Sequence, residues 1–372
     1  MLRGPLGDPK FKDQQFSGHE TFPLRHLWLR KAYDVVAKHK KGAPKKIFSD
    51  PAAIITFGVG KNMVTSIRHW SLACEIIEED GDKFVPTEIG TFLFGEKTGR
   101  DPFMEMPATT WLIQWMIAGT PARTTTWYYA FNHFAAQTFD SEALVTPIRE
   151  LCKERGWQRT SAATIKRDVE CFIRSYVPRT DSKFSEESME PVVAELGLIR
   201  PMGSKSFEFR RGPKPNLPDG VFLFALARFW ETHAPGQNTL AVESVAYEPG
   251  SPGRVFKLDE HSLIERLARI EDSSRGCFTW SDTAGVRNVA RQAVADSGIF
   301  AALDTLDNKR AVRRHGKPRD DLPRNGSNKG RRKMLWVYEL TACGEETMRW
   351  MVRAIDQLKP SGLSVRNDNG EG

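Results

Sequence analysis

The chain has 372 residues, of which 40% are hydrophobic and 27% are charged, as is typical of soluble globular proteins with two or three domains. The longest apolar runs fall short of the ~20 residues that cross a bilayer, and the five cysteines form no CxxC pair, which argues against a membrane span and a zinc ribbon. The net charge of +7 is concentrated, because residues 308–333 carry eleven Lys or Arg and two Asp and leave a net −2 on the rest.

The chain begins with a polar stretch, residues 1–15, which lacks the apolar core of a signal peptide. We predict that this stretch is disordered and that the protein is cytoplasmic. Thr21 as an N-cap and Pro23 in the first turn predict a helix that begins there. His19 and Glu20 could belong to a catalytic cluster, but no nucleophile accompanies them with its base. We interpret them as polar residues that fix the start of this helix.

Residues 58–77, GVGKNMVTSIRHWSLACEII, predict a helix that follows a glycine turn. Met63, Ile67 and Trp70 recur at helical spacing and predict a buried face. The opposite arc carries basic and hydrogen-bonding side chains that we predict to contact duplex DNA: Lys61, Asn62, Thr65, Arg68 and His69. The alternative is an ordinary surface helix. The string GVGKN is no P-loop, because it lacks the required first glycine and the Ser or Thr after the lysine.

A Gly-Asp turn, a strand at Phe84 to Pro86 and a helix capped by Thr87 follow. Helix, helix, turn, helix and β-hairpin is the order of a winged helix-turn-helix, so residues 16–140 are predicted to form a first such unit with an aromatic helical extension. The aromatic stripe that includes Trp111 could stack unpaired bases. We interpret it as core.

A second winged helix-turn-helix is predicted over residues 141–215. Ser161 is expected to cap a helix that buries Ile165, Val169 and Phe172, and the string S-x-x-T-I-x-R-D-V resembles the recognition helix of DeoR-type repressors. Two short strands around Gly203 form the predicted wing. The DNA-binding residues predicted for this unit are Lys166, Arg167, Arg174, Lys205, Arg210 and Arg211.

The remaining residues predict a helical C-terminal module over 216–307, in which Asp259 caps one helix and Ser281 caps another after a short strand. Residues 308–333 are predicted to be a flexible basic segment, either an arm that attracts DNA or an inserted loop. Its predicted DNA-binding residues are Arg313, Arg314, Arg331, Arg332 and Lys333. A strand and helix over 334–360 would complete the module, and residues 361–372 would be a disordered tail.

Three segments together resemble one family: FSGHETFPLR at 16–25, FGVGKNMVTSIRHW at 57–70 and GRDPFMEMPATTWLIQW at 99–115. It is the uncharacterised prokaryotic family called domain of unknown function 4007, and the resemblance covers roughly residues 16–300. The resemblance implies that the gene lies beside genes for cysteine desulfurases and for proteins like phosphoadenosine phosphosulfate reductase. Such neighbours are typical of gene clusters for DNA phosphorothioation and anti-phage defence. The resemblance implies no catalytic residues.

The predicted fold is therefore mostly α with small β-hairpin wings, arranged as tandem winged helix-turn-helix units plus a helical C-terminal module. We predict a DNA-binding component, for targeting or regulation, of a DNA modification or defence system, with double-stranded DNA as its partner and no metal or other cofactor. The alternative is an adaptor that binds the two sulfur-handling proteins without touching DNA. An enzyme is the third option, but a nuclease needs clustered carboxylates, and these are scattered along the sequence.

Overall fold

A computed structural model describes residues 2–157, 160–178, 191–283 and 285–291. This part of the chain is mostly α-helical and contains three antiparallel sheets of three short strands each. None of its helices has the length and apolar character required to cross a membrane. The segments predicted at 308–333, 334–360 and 361–372 lie outside the described residues.

The first sheet belongs to a unit that begins with a helix and a short strand and ends with two helices and a β-hairpin. Its elements are α1 (Trp28–Ala37), β1 (Ala43–Pro44), α2 (Ala53–Phe57), α3 (Lys61–Ala73), β2 (Ile77–Asp80) and β3 (Lys83–Pro86). The strand order is β1-β3-β2, so the last strand lies in the middle. Two further helices follow, α4 (Glu88–Phe94) and α5 (Pro107–Gly119).

The unit that contains the second sheet repeats this succession of elements. Its elements are α6 (Thr125–Asn132), β4 (Thr138–Phe139), α7 (Ser141–Glu154), α8 (Ala162–Tyr176), β5 (Ile199–Pro201) and β6 (Phe207–Phe209), and the strand order of its sheet is β4-β6-β5. Because Phe139 pairs with Phe207 across the sheet, β4 lies in one sheet with β5 and β6, although it precedes the predicted boundary at residue 140. Helix α6, before β4, packs against α5, α7 and α8.

A third sheet lies in the module predicted to be helical. The elements are α9 (Asp219–His233), β7 (Thr239–Ala241), α10 (Val242–Tyr247), α11 (Pro252–Val255), α12 (Glu260–Ala268), α13 (Ile270–Ser274), β8 (Phe278–Thr283) and β9 (Val286–Arg291), with strand order β7-β9-β8. The helix predicted after Ser281 is wrong, because Ser281 lies in β8 opposite Asn288. Gly285, whose φ is 80°, lies in the turn between the two strands.

The helix termini follow the predicted capping residues in three places. The side chains of Thr87, Ser161 and Asp259 accept hydrogen bonds from backbone N–H groups in the first turns of α4, α8 and α12. The start predicted for α1 is wrong. That helix begins at Trp28 because Thr21 and Leu27 have φ values of 66° and 64°, which interrupt a right-handed helix.

The prediction that residues 1–15 are disordered is wrong for residues 2–15. Leu6 is completely buried, and the backbone N–H of Gln15 donates to Thr125 Oγ1 at 2.8 Å. Arg3 pairs with Glu248 of the third unit at 2.9 Å. Although the segment is mostly polar in composition, Leu6 packs into the core that the units share.

A continuous core joins the three units, and aromatic side chains dominate it. Trp70, Trp111, Trp127 and Trp230 are all at most 1% exposed, which confirms the interpretation of the aromatic stripe as core. Helix α5 is central, since it packs against α6, α9 and α11. Its buried Gln114 accepts a hydrogen bond from Tyr176 at 2.6 Å and donates to the carbonyl of Val255 at 3.1 Å. Polar contacts therefore reinforce the attachment of the second unit to the third.

Candidate nucleic-acid interface

Helix α3 exposes only part of the face that the sequence predicts for DNA. Lys61 and Asn62 are exposed at its start, whereas Thr65 and Arg68 are half-buried. His69 is 4% exposed, so the prediction that it faces a DNA groove is wrong. The reason is that the C-terminal half of α3 is covered: the His69 ring lies 5.6 Å from that of His19, in the segment before α1.

The hairpin that follows α3 is acidic. Between residues 77 and 86 the chain carries Glu78, Glu79, Asp80 and Asp82, all exposed, against a single lysine. Lys45 pairs with Glu79 at 3.0 Å and, through this hydrogen bond, lowers the pKa of Glu79. Negative charge on the hairpin that follows α3 opposes the approach of a phosphate backbone to this hairpin.

A buried hydrogen bond between His19 and Asp168 connects the first unit to the second. Its atoms Nε2 and Oδ1 lie 2.5 Å apart, and both side chains are at most 4% exposed. The hydroxyl of Ser66 in α3 donates to the backbone carbonyl of His19 at 3.0 Å. The interpretation of His19 as a polar residue that fixes local structure thus extends to a link with a residue 149 positions away.

The two buried histidines of this cluster differ in electrostatic environment. Burial alone would lower the pKa of His19, but the neighbouring Cys171 and Asp168 raise it above its ordinary value. The backbone N–H of Thr21, 3.1 Å from Nδ1, favours the neutral ring, yet Nε2–H can donate to the carboxylate in either protonation state. Burial, followed by the charge of His19, lowers the pKa of His69 well below its ordinary value.

Helix α8 of the second unit buries the face that the sequence predicts. Ile165, Val169 and Phe172 are at most 1% exposed. Lys166 and Arg167 lie on the exposed arc, as predicted for DNA contacts. Arg174, however, is half-buried, and its guanidinium donates to the backbone carbonyl of Thr21 at 2.5 Å. It therefore joins the units, and its predicted DNA contact is corrected to this structural role.

The second hairpin differs in charge from the first. The range 199–211 contains one acidic residue, Glu208, which is paired with Arg200. Lys205, Arg210 and Arg211 are all exposed. Together with the exposed arc of α8, this hairpin supplies five of the predicted basic residues to the second unit.

Two further predictions from the sequence concern the basic segment at 308–333 and metal binding. Arg313, Arg314, Arg331, Arg332 and Lys333 lie outside them. Within these ranges no group of three or more His, Cys, Asp or Glu side chains is placed to hold a metal ion. Sequence reasoning did not single out Asp168 as a functional partner of His19, and only its position on the buried side of α8 could have indicated this.

Three comparisons relate the chain to other proteins. The family described as "Protein of unknown function (DUF4007)" matches residues 16–308. A magnesium-ion-bound crystal structure of SspB is similar with a TM-score of 0.69 and 25% identity, covering 92% of this chain and 97% of that chain. A second crystal structure of SspB is similar with a TM-score of 0.67 and 26% identity, at the same coverage. No curated protein sequence matches the chain.

Proposed function

This chain belongs to the DUF4007 family of proteins of unknown function, and we propose that it binds duplex DNA through α8 and the β5–β6 hairpin. In this proposal it is the targeting or regulatory component of a prokaryotic DNA modification or anti-phage defence system linked to phosphorothioation. The sulfur-handling proteins implied by the resemblance, like phosphoadenosine phosphosulfate reductase and cysteine desulfurase, would be its protein partners.

The order of elements in the first two units supports the choice of DNA. Each unit has a helix, a short strand, two helices and a hairpin whose last strand is central, and this is the order that we expect of a winged helix-turn-helix. In that arrangement the last helix before the hairpin lies in the major groove. This helix is α3 in the first unit and α8 in the second.

The single observation that carries the proposal is the charge difference between the two hairpins. The first hairpin has four exposed carboxylates, whereas the second has three exposed cations and an acidic residue already paired with arginine. A duplex carries one negative charge per ~1.7 Å of its axis, so it is attracted to the second unit and repelled by the first hairpin. We therefore assign the duplex contact to α8 and the second hairpin.

The experiment is a fluorescence-anisotropy titration of generic duplex DNA at several salt concentrations. Replacing both Lys166 and Arg167 by Ala should weaken binding and reduce the log–log salt slope by about 2, since each neutralised phosphate contributes ~0.9. A double replacement of Lys38 and Lys40, which are exposed at the end of α1 and beyond, removes the same charge and is the control. Equal affinities and slopes for the two variants would refute the assignment.

Two additions to this titration test related parts of the proposal. Neutralising the basic residues in 308–333 should flatten the salt slope further if that segment is an arm on DNA. Because one similar structure carries magnesium, each titration is run with and without Mg²⁺. A salt slope unaffected by loss of the segment's charges would argue against the arm.

A second candidate function, the protein adaptor, is favoured by the acidic hairpin of the first unit. Four exposed carboxylates on β2 and in the turn that follows it suit a basic protein surface better than a phosphate backbone. A pull-down with the two sulfur-handling proteins separates the functions. If Glu78→Lys combined with Asp80→Lys abolishes capture while DNA affinity is unchanged or increased, the hairpin binds protein. Undiminished capture would remove this support for the adaptor.

A further inference from the structure

A half-open cavity of about 840 Å³ lies in the first unit, away from the charged hairpin of the second. The segment before α1, α1 itself, α2 with the turn that follows it, and the start of α3 enclose it. Its volume is within the range of ~300–1,000 Å³ found for small-molecule sites. Two of the three segments on which the family resemblance rests, 16–25 and 57–70, meet at this cavity.

The charged groups that line the cavity are cations from three different elements. Arg25 precedes α1, Lys31 lies in α1 and Lys61 opens α3, while no acidic side chain is among the described residues that form the wall. The Arg25 guanidinium is held over the Phe22 ring at 5.4 Å, and Lys31 Nζ donates to the carbonyl of Phe57 at 3.0 Å. These contacts hold two of the three cations at the wall, so the cavity is suited to an anion.

The N-terminus of α3 adds backbone donors to this charge. Gly60 is the N-cap and no side chain caps the helix. Within the described part of the chain, the N–H groups of residues 61–63 have no hydrogen-bond acceptor. These donors and the positive end of the helix dipole favour a phosphate group in particular, because its oxygens accept several hydrogen bonds at once.

The wall of the cavity also has an apolar part, which is partly open. Phe22, Val59 and Met63 are each only partly buried against the core, and Ile54 is 45% exposed. This explains why Met63, predicted at the centre of the buried face of α3, is half-buried: it forms the wall of a cavity. A wall with an aromatic ring at this position provides a stacking surface for a planar base.

The backbone of the segment before α1 is strained. Glu20, Thr21 and Leu27, none of them glycine, have φ values of 46°, 66° and 64°. Such conformations persist only where the surroundings hold them, and they cluster at ligand-binding sites. Leu27 lines the cavity itself, so the strain lies at the cavity wall.

We propose that this cavity binds one nucleoside monophosphate unit. The phosphate lies at the N-terminus of α3 between Lys61 and Lys31, and the base lies against Phe22 and Met63. This site is separate from the duplex surface of the second unit and does not depend on it. The unit could be a free nucleotide or the phosphorylated terminal nucleotide of a single strand, since both present the same phosphate, sugar and base.

The test is a calorimetric titration of the full chain with adenosine 5′-monophosphate, with adenosine and with inorganic phosphate. The monophosphate should bind at least about tenfold more tightly than adenosine, and Lys31→Met and Lys61→Met should each weaken it about tenfold, because each removes a charged hydrogen-bond donor. Lys46→Met, an exposed lysine outside the cavity, is the matched control and should not change the affinity. Circular dichroism verifies that each variant is folded.

Equal affinities for the monophosphate and adenosine, or wild-type affinity in both cavity variants, would overturn the proposal. Single-stranded oligonucleotides with a 5′-phosphate or a 5′-hydroxyl identify the source. Tighter binding of the phosphorylated strand, lost in Lys61→Met, assigns the site to strand ends; binding of the mononucleotide alone assigns it to free nucleotide. Since duplex binding is tested with Lys166 and Arg167, failure of either proposal leaves the other standing.

Discussion

Replacing Asp168 tests whether the hydrogen bond to His19 holds the first two units together. The carboxylate is 2% exposed, and removing one partner of a buried pair costs ~3–5 kcal/mol because the other polar group stays buried alone. We expect the lower end of this range, about 3 kcal/mol for Asp168→Ala, because Asp168 Oδ2 lacks a partner in the described structure and its desolvation is relieved.

The conservative variant Asp168→Asn separates the hydrogen bond from the charge. Its amide oxygen can still accept from His19 Nε2, so we expect a loss of only about 1 kcal/mol, as for a neutral hydrogen bond. The assay is urea unfolding followed by tryptophan fluorescence, with the m-value compared between variants.

A double-mutant cycle with His19→Leu checks that the loss reflects this pair. The losses in free energy of unfolding for the two single variants should add up to at least about 1 kcal/mol more than the loss for the double variant, because the energies of residues in contact are coupled. A loss below 1 kcal/mol for Asp168→Ala, or strictly additive energies, would refute the view that this hydrogen bond joins the units.

Three further predictions concern stability. Leu6→Ala should lower the free energy of unfolding by about 2–5 kcal/mol, because Leu6 is completely buried, whereas a disordered segment would give no change in urea unfolding. Arg266→Ala should lower the free energy of unfolding by about 2–3 kcal/mol and Arg269→Ala by less than about 0.5 kcal/mol, although both arginines pair with Asp219. The difference is expected because the Arg266 side chain is 8% exposed and that of Arg269 is 54% exposed. Burial lowers the pKa of His133 to about 4, so the stabilisation by its neutral ring is complete above pH 6.5 and is lost as the pH falls towards 4. Urea unfolding measured as a function of pH should show a loss of up to about 3 kcal/mol in the free energy of unfolding over this range. In the His133→Phe variant this pH-dependent loss should be absent.

The sequence predicted local features well where one side chain decides the structure. The caps at Thr87, Ser161 and Asp259 and the two hairpins at 77–86 and 199–209 depend on short-range chemistry, and all are present. The aromatic core was equally predictable, because large apolar side chains at helical spacing are buried in most folds.

The errors arose where tertiary contacts override local pattern. His69 has the spacing of an exposed residue but is covered by the segment before α1, which no helical wheel can show. The third sheet was missed because β8 and β9 each bury only one side chain fully, so their sequences show little of the apolar alternation that indicates a strand. The cavity in the first unit depends on four separate stretches meeting, so the sequence did not indicate that Lys31 and Lys61 line the same cavity.

The contact between His19 and Asp168 also constrains how the chain folds while it is being made. Ribosomes add about 5–20 residues per second, so roughly 7–30 s pass between the synthesis of these two positions. During that time His19 lacks its hydrogen-bond partner, and the Trp127 ring lacks Phe172 of α8, against which it packs edge to face. The first unit is thus synthesised early but reaches its full stability only after α8 has been made. A nascent chain halted near residue 140 exposes an aromatic surface that chaperones can bind.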